Sequence, residues 1–70
     1  MKGSEFLLKA KRYAATRQLS HRWAPARGAG SHGTVYIGEQ MTVVKDLKKE
    51  LGPGLFRAMC RDLGIDPREL

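Results

Sequence analysis

The sequence predicts an α+β fold in the order helix–strand–strand–strand–helix. Three observations lead to this prediction. Apolar residues at helical spacing open the chain, runs with a period of two fill its middle, and a second helical stripe follows a Gly-Pro pair near the end. Two such helices bury their stripes together only on one face of a three-stranded antiparallel sheet, which leaves the opposite face open.

The first helix is predicted over residues 4–17. Gly3 or Ser4 is expected to cap it, and Glu5 suits the positive end of the helix dipole. An apolar stripe at i, i+4, i+7 and i+8 identifies its buried side: Phe6, Ala10, Tyr13 and Ala14. We therefore expect this stripe to lie in the core.

Three strands are predicted in the middle of the chain. Residues 19–24 alternate between two faces up to Pro25, which cannot donate to a strand ladder. Residues 34–37 and 41–44 are rich in β-branched side chains, and the connection between them contains Gly38, which suits a hairpin. The loop before the second strand is the longest between strands.

The second helix is predicted to follow Pro53, a favourable first helical residue, and to end at Gly64. Its apolar stripe recurs every four residues: Leu55, Met59 and Leu63. Pro67 is expected to begin one last turn. Residues 46–51, just before this helix, are predicted to form a single helical turn.

The length of 70 residues predicts one domain spanning 1–70, with a small core that makes a partner subunit reasonable. Cys60 is the only cysteine, which fits a reducing compartment. No apolar run is long enough to cross a membrane. We therefore expect a soluble, cytoplasmic protein.

The positive charge is concentrated in the first part of the chain. Residues 1–27 contain seven basic residues against one acidic residue, whereas residues 28–70 contain six of each. The whole excess of +6 therefore precedes the glycine-rich loop. This asymmetry favours a polyanionic partner such as nucleic acid, although a solvated basic surface is the plainer alternative.

The loop 28–33 has the sequence Gly-Ala-Gly-Ser-His-Gly. Its glycines allow a ligand to approach the backbone closely, and His32 adds a side chain that titrates near neutral pH. The loop is therefore interpreted as catalytic for a phosphodiester substrate. If that substrate is RNA, its own 2′-OH is the nucleophile, so cleavage requires positioning, proton transfer and charge stabilisation but no metal. The catalytic candidate is His32 as general acid/base, a role worth about 10²–10⁴-fold in rate.

Phosphate contacts are expected around this histidine. Backbone N–H groups of glycines can form an anion nest, an arginine can hold phosphate in a bidentate manner, and a serine hydroxyl can donate to a phosphate oxygen. The candidates for RNA and phosphate binding are Arg22, Arg27, Gly30, Ser31 and Gly33. For Ser31, shaping the turn is an equal alternative.

Other motifs are excluded. The glycine spacing of the loop matches a dinucleotide fingerprint formally, but a strand follows it where that motif requires a helix. The two histidines and Cys60 lack the spacing of a zinc site. We expect no metal and no small-molecule cofactor.

The chain resembles the HicA toxins of bacterial toxin–antitoxin pairs. The resemblance covers nearly its whole length in order, in the segments 1–7, 30–34, 35–38, 44–47 and 55–65, and the glycine–serine–histidine motif is its most specific part. It implies a small mRNA-cleaving endoribonuclease on a double-stranded-RNA-binding-like fold, with the motif histidine, here His32, as catalyst. It also implies a HicB-type antitoxin as partner. Ala29 stands where family members often have a lysine.

Two other hypotheses remain open from the residues. The same basic surface suits a non-catalytic RNA-binding module, and it also suits an interaction domain for an acidic protein. A loss of cleavage in a His32→Ala variant would separate the nuclease from the module. A steep dependence of affinity on salt would separate RNA from a protein partner.

Overall fold

A computed structural model of the chain describes residues 1–27 and 32–70. Its elements follow in the order α1 (Gly3–Thr16), β1 (His21–Pro25), β2 (Gly33–Ile37), β3 (Gln40–Val44) and α2 (Pro53–Leu63), and a short 3₁₀ turn (Pro67–Glu69) ends the chain. The α+β fold class and the element order are confirmed, with small shifts at the element ends.

The three strands form one antiparallel sheet with β2 in the centre. Ile37 pairs with Gln40 across the hairpin between β2 and β3, and Gly38 in its turn has φ +59°. That left-handed conformation is why a glycine is favoured there. Pro25 is the last residue of β1, inside the strand rather than after it, because an edge strand tolerates a missing N–H group.

Both helices cover the same face of the sheet. Alternate residues of β2 and β3 are buried against them, which fixes the inward face of each strand. Among residues 1–27 and 32–70, ten buried hydrophobic residues from both layers form the core: Phe6, Ala10, Ala14, Val35, Ile37, Val44, Met59, Cys60, Leu63 and Ile65. Between the helices, the rings of Phe6 and Phe56 meet edge to face with centroids 6.0 Å apart.

The other side of the sheet, called here the open face, carries the side chains of the residues that alternate with the buried ones along each strand. It consists of six residues: Arg22, Ala24, Thr34, Tyr36, Met41 and Val43. Met41 and Val43 are 50% and 48% exposed, so no described element covers them.

The segment 46–51 differs from its prediction as a helical turn. It is irregular and lies against the start of α1, where Ser4 N–H donates to the Leu47 carbonyl at 2.9 Å. Leu51 N–H donates in turn to the Met1 carbonyl at 2.8 Å. The expected cap at Gly3 or Ser4 is also wrong, because helix α1 begins at Gly3 itself and the segment supplies acceptors for its first N–H groups.

Candidate functional site

His32 lies at the entrance to β2, at the end of the sheet where the loop after β1 returns. Its carbonyl accepts a hydrogen bond of 2.9 Å from Ala26 N–H, which continues the β1–β2 ladder beyond Pro25. Its side chain is exposed and makes no hydrogen bond or ion pair with another described residue. The backbone is therefore held in place while the imidazole is free to meet a ligand.

Two exposed basic residues lie close to His32 in the register of the sheet. Arg27 is exposed and follows Ala26, the residue that pairs with His32. Lys45 is also exposed and follows Val44, whose partner in β2 is Gly33. Continuing this register by one residue sets Lys45 opposite His32. Two exposed basic residues thus stand at, or one residue beyond, the positions opposite His32 in the sheet register, and positive charge at this end of the sheet suits a phosphodiester.

Lys45 was not among the residues predicted from the sequence for the site. The signal that could have found it was the pairing of β2 with β3, in which Gly33 pairs with Val44. This register brings Lys45, just after β3, opposite His32, just before β2. Sequence periodicity identifies each strand but not the register between two strands. For this reason the neighbour of His32 on β3 became visible only in the structure.

Arg22, one of the two arginines expected to hold phosphate, lies away from His32. It pairs with Tyr36 in the register, and its guanidinium carbon is 4.3 Å from the centroid of the Tyr36 ring. Tyr36 comes four positions after His32 in the chain, a distance of about 13 Å along a strand. Of the two arginines, Arg27 is therefore the nearer to His32 in the sheet register.

Gly33 has a structural reason to be glycine. It lies inside β2 without a positive φ, so its requirement is space rather than backbone conformation. A Cβ atom there would lie 2.5 Å from the Ala24 carbonyl oxygen and 2.8 Å from Cη2 of Trp23. The ring of Trp23 therefore packs directly over Gly33.

The expected contribution of Gly33 to an anion nest stays a prediction, and it depends on where the Gly33 N–H group points. Gly38 and His32, which flank β2, are hydrogen-bonded toward β1 through Gly38 N–H to the Ser20 carbonyl and Ala26 N–H to the His32 carbonyl, so the even-numbered residues between them have the same orientation. By the alternation of antiparallel pairing, the N–H of Gly33 points to β3. Gly30 and Ser31, the other loop residues in the expected site, lie outside the described residues.

His21 and Cys60 are packing residues. His21 faces α1, its Nε2 atom is buried without a hydrogen-bond partner among the described residues, and burial together with Lys11 lowers its pKa. Cys60 is buried in the core, and burial raises the pKa of its thiol. A neutral thiol away from solvent is a poor nucleophile.

In residues 1–27 and 32–70, no group of three or more histidine, cysteine, aspartate or glutamate side chains is arranged to hold a metal ion. No helix in that part of the chain has the length and apolar character needed to cross a membrane.

Comparisons with family models, with curated proteins and with solved structures gave no match to this chain.

Proposed function

We propose that this chain is a small endoribonuclease that cleaves mRNA with His32 as general acid/base. The observation that supports the proposal most is the setting of His32: its side chain is exposed, its backbone is anchored to Ala26, and two exposed cations, Lys45 and Arg27, stand at or one residue beyond the positions opposite it in the sheet register. A basic N-terminal region leads into this end of the sheet. Cationic surroundings attract the RNA backbone and hold a phosphate beside the ring.

The chemistry requires one bond to form and one to break. The ribose 2′-oxygen attacks the adjacent phosphorus while the bond from phosphorus to the 5′-oxygen of the next nucleotide breaks. His32 accepts the 2′-OH proton or delivers a proton to the leaving 5′-oxygen, and water completes the other transfer. Arg27 and Lys45 stabilise the extra negative charge on the phosphate oxygens. The products are a 2′,3′-cyclic phosphate and a free 5′-hydroxyl.

The reaction is tested with purified protein, an RNA in which one ribose is replaced by 2′-deoxyribose, and EDTA. We expect cleavage to persist in EDTA, to leave cyclic phosphate ends, and to be absent at the deoxy position. Loss of all cleavage in EDTA, or cutting after the deoxy nucleotide, would contradict this chemistry.

The proposed physiological role is that of a toxin neutralised by a HicB-type antitoxin, in the bacterial cytoplasm. Expression of the wild-type chain alone is expected to arrest growth, and both co-expression of the antitoxin and His32→Ala are expected to restore it. Unimpaired growth with the wild-type protein at confirmed expression would contradict the role.

The alternative is a non-catalytic RNA-binding module. One observation favours it: no described residue makes a hydrogen bond or an ion pair with the His32 imidazole, so the described residues orient no partner group for proton transfer at this ring. RNA binding that is retained in His32→Ala, together with no cleavage by the wild-type protein, would establish the module.

A further inference from the structure

The open face of the sheet, together with its continuation beyond the ladder, forms three rows across the strands. Arg22, Tyr36 and Met41 make one row, and Ala24, Thr34 and Val43 make the next. Ala26, His32 and Lys45 follow in the same register one step beyond the ladder. By strand alternation, His32 belongs to the same side of the sheet as Thr34 and Tyr36, and Lys45 belongs to the same side as Met41 and Val43. The candidate catalyst thus stands at one end of this face.

The row of Arg22, Tyr36 and Met41 is the one farthest from His32, called here the far row, and it carries a stacking surface. The guanidinium of Arg22 lies over the ring of Tyr36 at 4.3 Å, with the ring half-buried and the arginine exposed. A guanidinium stacked on an aromatic ring gives a flat cationic surface, and both groups are ones on which unpaired nucleobases stack. Arg22 makes no ion pair with another described residue, so its charge remains available.

The charges of the face suit a polyanion. Arg22 stands in the far row and Lys45 in the row of His32, and none of the six residues that form the open face is acidic. The middle row offers small or β-branched side chains that do not obstruct a ligand lying flat. The distance between the two end rows is about 13 Å, which a few extended nucleotides span.

We propose that the open face binds the substrate as a single strand, with a base stacked on Arg22 and Tyr36 and the scissile phosphate at His32. This inference rests on the proposed function and specifies its substrate as unpaired RNA. A duplex does not satisfy the site, because its bases are already stacked on each other and cannot reach Tyr36. Lys45 acts as a phosphate contact at the catalytic end.

Binding is measured with the His32→Ala protein, so that the RNA stays intact. The probe is a short fluorescent RNA of mixed sequence, used as a single strand and again as a duplex. Tyr36→Val should weaken binding of the single strand by about 5- to 150-fold, the usual effect of removing one stacking ring. Tyr36→Phe keeps the ring and should bind as the parent does.

A second arginine provides a control for the stacked geometry. Arg17 also lies over a tyrosine ring, that of Tyr13 at 4.4 Å, but it belongs to the end of α1 and not to the sheet, and its guanidinium is paired with the Glu69 carboxylate. Arg22→Gln and Arg17→Gln remove the same formal charge. We expect the first to weaken binding clearly more than the second. Equal losses would show general attraction and overturn the proposal.

The position of the bound RNA is tested by an experiment that needs no variant at the stacking surface. RNA that contains 4-thiouridine is cross-linked to the His32→Ala protein, and the modified peptides are identified by mass spectrometry. We expect cross-links in β1 and β2, with Tyr36 among the modified residues. Cross-links confined to α1 would overturn the proposal.

The remaining outcomes distinguish this inference from the proposed function. If Tyr36→Val cleaves and binds RNA as the wild-type protein does, the stacking surface is wrong and the nuclease stands. If the duplex binds more tightly than the single strand, this inference is overturned but the proposed nuclease function is not. If Tyr36→Val loses only its association with a protein partner, the open face is a protein interface. If the wild-type protein neither binds nor cleaves RNA, both proposals fail.

Discussion

Replacing Gly33 by alanine tests how closely β1 packs against β2 beside the candidate catalyst. The new Cβ would lie 2.5 Å from the carbonyl oxygen of Ala24, 2.8 Å from Cα of Pro25 and 2.8 Å from the Trp23 ring. Two of these atoms belong to the backbone and cannot retreat unless the strands separate. Overpacking of this kind costs about 1–3 kcal/mol, and the smaller unfolded-state benefit of Gly→Ala offsets part of it.

The expected loss appears as a fall in melting temperature of roughly 4–8 °C per kcal/mol for a domain of this size. Circular dichroism measures it. The emission of Trp23, the single tryptophan, should shift to longer wavelength if the ring is pushed toward solvent. Gly54→Ala is the matched control, because its Cβ meets nothing within 4 Å in α2. That variant should gain up to about 1 kcal/mol. A Gly33→Ala protein as stable as Gly54→Ala would refute the close packing.

Three further results are expected for stability. The Thr42 hydroxyl donates to the exposed Asp62 carboxylate at 2.9 Å, and in Thr42→Val this carboxylate returns to water. The free energy of unfolding, measured by urea denaturation, should therefore change by less than about 1 kcal/mol. A loss well above that would contradict the expectation. The pKa of His21 is lowered from 6.5 mainly by burial, so the unfolded chain binds more protons. The wild-type protein should therefore lose stability relative to His21→Gln as the pH falls below about 6.5 toward the folded-state pKa, and a constant difference in melting temperature would argue against it. Phe6→Ala should lower the free energy of unfolding by about 3–5 kcal/mol in urea denaturation, because Phe6 is fully buried. A small loss would contradict its place in the core.

Much of the fold follows from periodicity alone. The helical stripe around Phe6 and the alternation of residues 34–37 define which side of each element is buried, and the structure confirms both. Segment 46–51 could not be predicted in this way. Its conformation depends on the N–H groups at the start of α1, such as that of Ser4, which need acceptors from a distant part of the chain.

The candidate site could be predicted only in part. His32 and Arg27 stand out as residue types in a basic, glycine-rich context. Lys45 and the stacked pair of Arg22 and Tyr36 depend on strand register, which no local pattern reveals. The role of Gly33 likewise depends on the tryptophan that packs over it from the neighbouring strand.

The rate of RNA cleavage by His32→Ala, compared with that of His21→Gln, tests the central claim most directly. Both variants remove one of the two histidines, but only the first removes the exposed imidazole at the entrance to β2. We predict that His32→Ala loses about 10²–10⁴-fold in rate and that His21→Gln cleaves as the wild-type protein does. Undiminished cleavage by His32→Ala would contradict the catalytic role of this residue.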